Sequence, residues 1–215
     1  MKKYQLKINN NLLVNIAKER FAKISNQEEK WDEIYNKIKD KLDPKCEYVI
    51  FNDIKIDGNN MSIGDQVISA EYFSTIPKEI IGDAAVSLLT IGDITVLEDS
   101  VLNNTLIDMA LTAFVDALRE LLRMELQEDY IVSGSIAPGL EGMNIEEIIK
   151  FAKLIDFDSL GIKLNDSLVM IPEKSVVGLY LFFNEEHPIS TNSCSTCMAR
   201  GYGCNFCSVE GENDV

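Results

Sequence analysis

Helical spacing of apolar residues marks three parts of the chain. Residues 9–43 carry two successive apolar stripes with the 3.6-residue period of a helix. Asp43-Pro44 ends the second stripe, because a residue that precedes proline avoids the helical conformation. Residues 101–125 carry the longest helical pattern, and residues 145–156 carry a shorter one. The pattern therefore predicts two N-terminal helices, a long core helix and a short helix.

Continuously apolar or alternating runs lie between the helical patterns and predict strands. The runs are CEYVIF, DIKI, QVISAEYF, AAVSLLTIG, DYIVSGS, GIKLN, SLVMIP and SVVGLYLFF. The last three follow one another closely, which favours antiparallel pairing because parallel strands need long crossover connections. Helices combined with antiparallel strands predict an α+β fold. We expect residues 84–183 to form one such domain, with residues 9–43 packed on it.

Composition and charge narrow the classes of partner. The 215 residues are 46% hydrophobic and 26% charged, which is ordinary for a globular protein. The net charge is −15, and it is uneven: residues 1–45 carry 11 basic and 7 acidic side chains, and residues 46–215 carry 9 basic and 28 acidic ones. An acidic body repels phosphate backbones, so the sequence predicts no nucleic-acid partner.

The termini and the apolar runs predict a cytoplasmic protein without a membrane partner. We find no window of the roughly 18 apolar residues that a membrane span requires. The N-terminal sequence MKKYQLKINNN lacks the apolar core of a signal peptide.

Four cysteines near the C-terminus form the strongest local motif. Cys194, Cys197, Cys204 and Cys207 are spaced C-x2-C-x6-C-x2-C, and two CxxC pairs can place four thiolates around one metal centre. The alternatives are disulfides, which a reducing cytoplasm disfavours, and coincidence, which is improbable for two CxxC units in a chain with five cysteines. Cys46 lies far away in a strand-like run and is interpreted as a buried small hydrophobe.

The residues alone do not identify the metal that the four cysteines would bind. Four thiolates suit structural zinc and also an iron–sulfur cluster. His187 is the one histidine of the chain, which excludes a histidine-rich metal site. Its neighbours in EEHPIS favour a surface loop over a catalytic role.

Several segments in order across residues 84–183 resemble one known family. They are LLTIG, TAFVDALRELLRMEL, SIAPGLEGM and GIKLNDSLVMIPEKSVVGLYLFF. The chain resembles the activation domain of cobalamin-dependent methionine synthase, above all its stand-alone versions. The shared positions of the last segment are Gly161, Leu164, Ser167, Met170, Pro172, Ser175, Val176 and Gly178.

The resemblance implies a fold, a role and a partner. The fold is a curved antiparallel sheet flanked by helices. The role is to reactivate cobalamin after Co(I) has been oxidised to Co(II), with S-adenosylmethionine held over the corrinoid while an electron arrives. The partner is a corrinoid-binding protein or a methionine synthase core, which supplies the corrinoid. The chain has no room for the homocysteine and folate modules, so we expect an accessory protein, not a complete methionine synthase.

The same role favours an iron–sulfur cluster at the cysteines, because reactivation needs an electron and zinc is redox-silent. The alternative is a non-catalytic scaffold that docks on a corrinoid protein, with a structural zinc knuckle. We expect three sections: an N-terminal helical section at 1–45, the activation-like domain at 46–190 and a metal-binding tail at 191–215.

One segment departs from the family pattern where the methyl donor would bind. The resemblance places Ser135, Ala137, Pro138, Gly139 and Leu140 in the ligand groove. Ser135 stands where the family has an arginine, and Leu140 stands where it has a tyrosine. A serine cannot form the bidentate pair that a guanidinium makes with a carboxylate. We therefore expect S-adenosylmethionine to bind weakly or not at all.

Overall fold

A five-stranded antiparallel sheet organises the protein. The computed structural model describes residues 2–77, 81–140 and 142–184. The strands are β1 (Lys2–Gln5), β2 (Lys45–Phe51), β3 (Lys55–Asp57), β4 (Asn60–Ile63), β5 (Gln66–Ser69), β6 (Ile81–Thr90), β7 (Ile131–Val132), β8 (Lys163–Leu164), β9 (Met170–Ile171) and β10 (Ser175–Phe183). The helices are α1 (Asn10–Ser25), α2 (Trp31–Ile38), α3 (Val101–Gln127) and α4 (Ile148–Leu154).

The main sheet has the order β1-β2-β6-β10-β7, and its pairs are antiparallel. The predicted α+β class is confirmed.

The two central strands are apolar along their length because layers cover both of their faces. On β6, Ala85 and Leu89 face one hydrophobic cluster, whereas Val86 and Leu88 face another. Successive side chains of a strand point to opposite faces, so a doubly covered strand is apolar at most positions, with Ser87, Thr90 and Ser175 as buried, hydrogen-bonded exceptions. This explains why AAVSLLTIG and SVVGLYLFF are continuous apolar runs.

Helices α1, α2 and α3 cover one face of the sheet. Trp31 and Phe114 are buried there with ring centroids 5.7 Å apart, and Phe21 packs on Trp31 at 5.5 Å. The helices predicted within residues 9–43 are present and pack on the domain. The structure adds β1, which the sequence pattern did not predict and which pairs with β2 at the sheet edge.

Helix α3 changes one expectation from the sequence. By length and composition alone it is apolar enough to cross a membrane, contrary to the expectation that no window qualifies. Half of its most apolar window is buried inside the protein, and its buried residues belong to the hydrophobic cluster beneath the sheet. Its apolar content is therefore accounted for by the core that it fills.

A second layer covers the opposite face of the sheet. It consists of the small sheet β3-β4-β5, helix α4 and the hairpin β8-β9. The predicted strand QVISAEYF is split here, because β5 ends at Ser69 and a 3-10 turn follows over Glu71–Thr75. Between this layer and the edge of the main sheet lies the connection from β7 to α4, which contains the predicted groove residues.

Candidate functional site

The segment after β7 follows the edge of β10 through a bulge. The Ser133 amide donates to the Leu181 carbonyl at 2.9 Å, and the Ser133 hydroxyl oxygen accepts from the Leu181 amide at 2.9 Å. The same hydroxyl donates to the Gly134 carbonyl at 2.7 Å. Pairing resumes where Ile136 meets Leu179. A side chain therefore takes the place of a ladder carbonyl, and this edge has one extra residue.

The bulge turns Ser135 towards the sheet. A Cβ atom on Gly178 would lie 2.6 Å from the Ser135 hydroxyl oxygen, so the absence of a side chain on Gly178 makes room for it. Tyr180, two residues further along β10, donates from its hydroxyl to the Arg119 carbonyl at 3.5 Å. Burial raises the pKa of the Tyr180 phenol, which keeps it a neutral donor. The Ser135 hydroxyl thus lies against the sheet at Gly178.

Residues 137–140 form a tight turn that projects beyond the bulge. The Leu140 amide donates to the Ala137 carbonyl at 2.9 Å. Pro138 takes the second position and Gly139 the third, where a φ of +86° suits glycine and defines a type II turn. Met143 closes the loop, since its amide donates to Leu140 at 2.8 Å and its carbonyl accepts from Gly139 at 2.9 Å.

The loop is fixed to the second layer. Met143 forms an antiparallel bridge with Ala70, and the Glu71 amide donates to the Gly142 carbonyl at 3.3 Å. The Asn144 side chain accepts from the Glu146 amide at 3.0 Å and so begins the helical turn that leads into α4. The turn is therefore held at both ends, by the main sheet and by the second layer.

The structure separates the predicted groove residues into two groups. Ala137, Pro138, Gly139 and Leu140 lie together in the turn, where Ala137 is buried and Leu140 is 52% exposed. Ser135 lies on the sheet side of the bulge, half-buried against Gly178. Ser135 thus does not share the outer surface of the turn.

Two isoleucines beside the turn are exposed, which the sequence pattern did not predict. Ile145 and Ile149 are each 47% exposed, and Ile145 Cδ1 lies 3.6 Å from the position a Cβ of Gly139 would take. Their spacing of four residues fits one helix face, but it also fits the buried face that the pattern predicted. The sequence could not tell which isoleucines of this segment turn outward.

The turn offers no cation to a ligand carboxylate. The sequence has no lysine or arginine between Arg123 and Lys150. The Lys150 ammonium lies 2.8 Å and 2.9 Å from the two carboxylate oxygens of Glu147. Glu147 in turn accepts from the Ser69 amide at 3.1 Å. The residues of this turn therefore do not fit the carboxylate of S-adenosylmethionine.

The cysteine motif lies outside the described residues. Cys194, Cys197, Cys204, Cys207 and the neighbouring His187 all follow Asn184, and the metal site stays a prediction. Within residues 2–77, 81–140 and 142–184, no group of three or more His, Cys, Asp or Glu side chains is placed to hold a metal ion.

Cys46 is buried, as the pattern predicted. Burial raises the pKa of its thiol, with a smaller contribution from Glu47. A protonated thiol without access to solvent is a poor metal ligand, because ligation requires the thiolate.

One solved structure of known function has a fold similar to that of this protein. No protein-family model and no curated protein sequence matches the chain. Among solved structures, it is similar to the crystal structure of the MetH reactivation domain bound to AdoHcy, with a TM-score of 0.58 and 14% sequence identity. The match covers 89% of this chain and 82% of that one. The predicted resemblance is therefore confirmed for the fold.

Proposed function

We propose that this protein reactivates the corrinoid of a separate corrinoid-binding protein or methionine synthase core. The observation that carries the proposal is the likeness to the MetH reactivation domain, which extends over 89% of the chain. Reactivation converts Co(II) to Co(I) by one electron, after which cobalt can be methylated again. In this proposal the chain acts as an accessory protein, and its partner brings the corrinoid.

The chain's own residues position a surface for that partner. Hydrogen bonds from Ser133 to Leu181 and from Glu71 to Gly142 fix the turn at 137–140 between the two layers. The turn lacks a cation for the carboxylate of S-adenosylmethionine, so we assign no step to that cofactor. The methyl group would then come from the partner's own methyl donor.

The four C-terminal cysteines would supply the redox chemistry. Cys194, Cys197, Cys204 and Cys207 would hold the metal centre, and an iron–sulfur cluster there would carry the single electron that separates Co(II) from Co(I). Zinc would carry none. Purification without oxygen, followed by iron, sulfide and zinc analysis, distinguishes the two.

A second candidate function is a non-catalytic scaffold that docks on a corrinoid protein and uses zinc to stabilise its C-terminal segment. The observation that favours it is the missing cation at the turn, which removes the ligand chemistry of the family. A colourless zinc protein that binds a corrinoid partner without changing the cobalt state supports this candidate. An iron–sulfur protein that accelerates cobalt reduction contradicts it.

The experiment that tests the proposal starts from a cobalamin-loaded corrinoid protein held as Co(II). With a one-electron reductant and the partner's methyl donor present, we expect the protein to accelerate the formation of methylcobalt, followed by absorbance. Cys194→Ser should abolish the acceleration, whereas Cys46→Ala serves as the matched control and should retain it. Equal rates with and without the wild-type protein contradict the proposal.

A further inference from the structure

Three exposed apolar side chains lie on the turn and on the helical segment that follows it. Leu140 is 52% exposed, and Ile145 and Ile149 are each 47% exposed. Ile145 packs against Gly139, next to Leu140, and Ile149 follows it by four residues in the helical segment. We call Leu140, Ile145 and Ile149 the apolar ridge. Large apolar side chains that stay half-exposed on a well-anchored backbone mark a contact surface when they lie together.

Three carboxylates adjoin the apolar ridge and are called the acidic rim: Glu71, Glu146 and Glu147. Glu71, from the 3-10 turn that follows β5, lies over Gly142, and Glu146 and Glu147 lie between Ile145 and Ile149 in the sequence. Between residues 131 and 150, Lys150 is the one basic residue of the sequence, and it forms an ion pair with Glu147. The rim therefore has a negative charge that a partner would have to complement.

We propose that the apolar ridge is the docking surface for the partner protein, and that the partner presents an apolar patch flanked by lysine and arginine side chains. This inference rests on the proposed function and names the chemistry of its partner. Burial of the exposed parts of these three apolar side chains supplies the attraction. The basic flanks of the partner pair with the acidic rim and fix the orientation.

The negative charge of the rim disfavours other possible binding partners of the apolar ridge. A second copy of the chain brings a net charge of −15. The chain's own C-terminal residues 185–215 contain five acidic side chains and one arginine, so they also repel the rim. Anionic membranes and nucleic acids are disfavoured for the same reason. A basic protein surface is the occupant that the charges favour.

The test uses each cobalamin-loaded corrinoid-binding protein of the source organism, purified and titrated against the full-length chain by calorimetry. We expect one of them to bind, and Leu140→Asp and Ile145→Asp to weaken that binding at least tenfold. Glu146→Lys should weaken it less, and added salt should reduce the difference between this variant and the wild type. Leu102→Asp is the matched control, since Leu102 is 62% exposed at the start of α3 and should leave affinity unchanged.

Unfolding midpoints equal to that of the wild type establish that the variants are folded, and Leu140→Ala provides a milder variant with the same expected direction. Wild-type affinity in both Asp variants overturns the docking surface, and the proposed function survives if reactivation persists. Ridge-dependent binding without reactivation supports the docking surface and contradicts the proposed function. The docking inference is wrong if no corrinoid protein of the organism binds. It is also wrong if Glu146→Lys strengthens the binding.

Discussion

The two faces of the main sheet use apolar residues in opposite ways. On the helical face, α1, α2 and α3 bury an aromatic stack in which Trp31 and Phe114 are nearly inaccessible to solvent. On the other face, the connection from β7 to α4 fixes its backbone by hydrogen bonds and leaves Leu140, Ile145 and Ile149 exposed. Both faces bury a hydrophobic core, but only on the second face does an anchored connection next to the candidate turn leave apolar side chains exposed. The same kind of side chain thus serves packing on the helical face and, in the proposal above, recognition at this connection.

The largest expected effect is the loss of an aromatic ring from the helical face. Phe114→Ala removes a fully buried ring that stacks on Trp31 and Tyr35, so we expect the free energy of unfolding to fall by about 3–5 kcal/mol. Leu140→Ala, on the other face, should change it by less than about 0.5 kcal/mol. Chemical denaturation of both variants measures the contrast, and equal losses would remove the distinction between the faces.

A smaller effect is expected where the bulge meets the sheet. Gly178→Ala places a Cβ against the Ser135 hydroxyl, so we expect it to destabilise the protein by about 1–3 kcal/mol. In a Ser135→Ala background the same substitution should cost at least about 0.5 kcal/mol less, because the crowding atom is gone. A double-mutant cycle in urea measures this coupling. Strict additivity of the two substitutions would show that Ser135 does not lie on Gly178.

The smallest effect lies on the solvent side of α2. Glu33 hydrogen-bonds Lys30 at 3.2 Å and Lys37 at 3.3 Å, and these contacts lower the pKa of its carboxyl. A lowered pKa in the folded state stabilises the protein above the unfolded pKa, and the contribution is lost as the pH falls through the folded value. Glu33→Gln should therefore be slightly less stable than the wild type at neutral pH and equal to it in acid. Thermal unfolding at several pH values tests this, and a gap that widens in acid contradicts it.

The sequence predicted the layers of the fold better than the surface of the site. Periodicity located α3 and the apolar strands β6 and β10, because burial on one or both faces leaves a regular pattern. It missed β1, whose residues KKYQ are largely polar and whose pairing with β2 depends on a contact distant in sequence.

At the candidate site, glycine and proline predicted the turn, since a type II turn needs Gly139 after Pro138. The orientation of Ser135 could not be predicted, because it depends on the bulge that Ser133 creates against Leu181. Nor could the exposure of Ile145 and Ile149 be predicted, because an apolar residue at helical spacing is equally compatible with a core. Both properties arise from tertiary packing, which local sequence does not encode.

The central claim is that the turn at 137–140 is a protein contact surface without a binding site for S-adenosylmethionine. Calorimetric titration of S-adenosylmethionine into the full-length protein tests this claim most directly, with the MetH reactivation domain, which has been crystallised with AdoHcy, as the positive control. We predict no saturable heat from this protein under conditions in which the control saturates. Saturable binding at one molecule per chain, with an affinity close to that of the control, would contradict the account and show that another residue replaces the missing arginine.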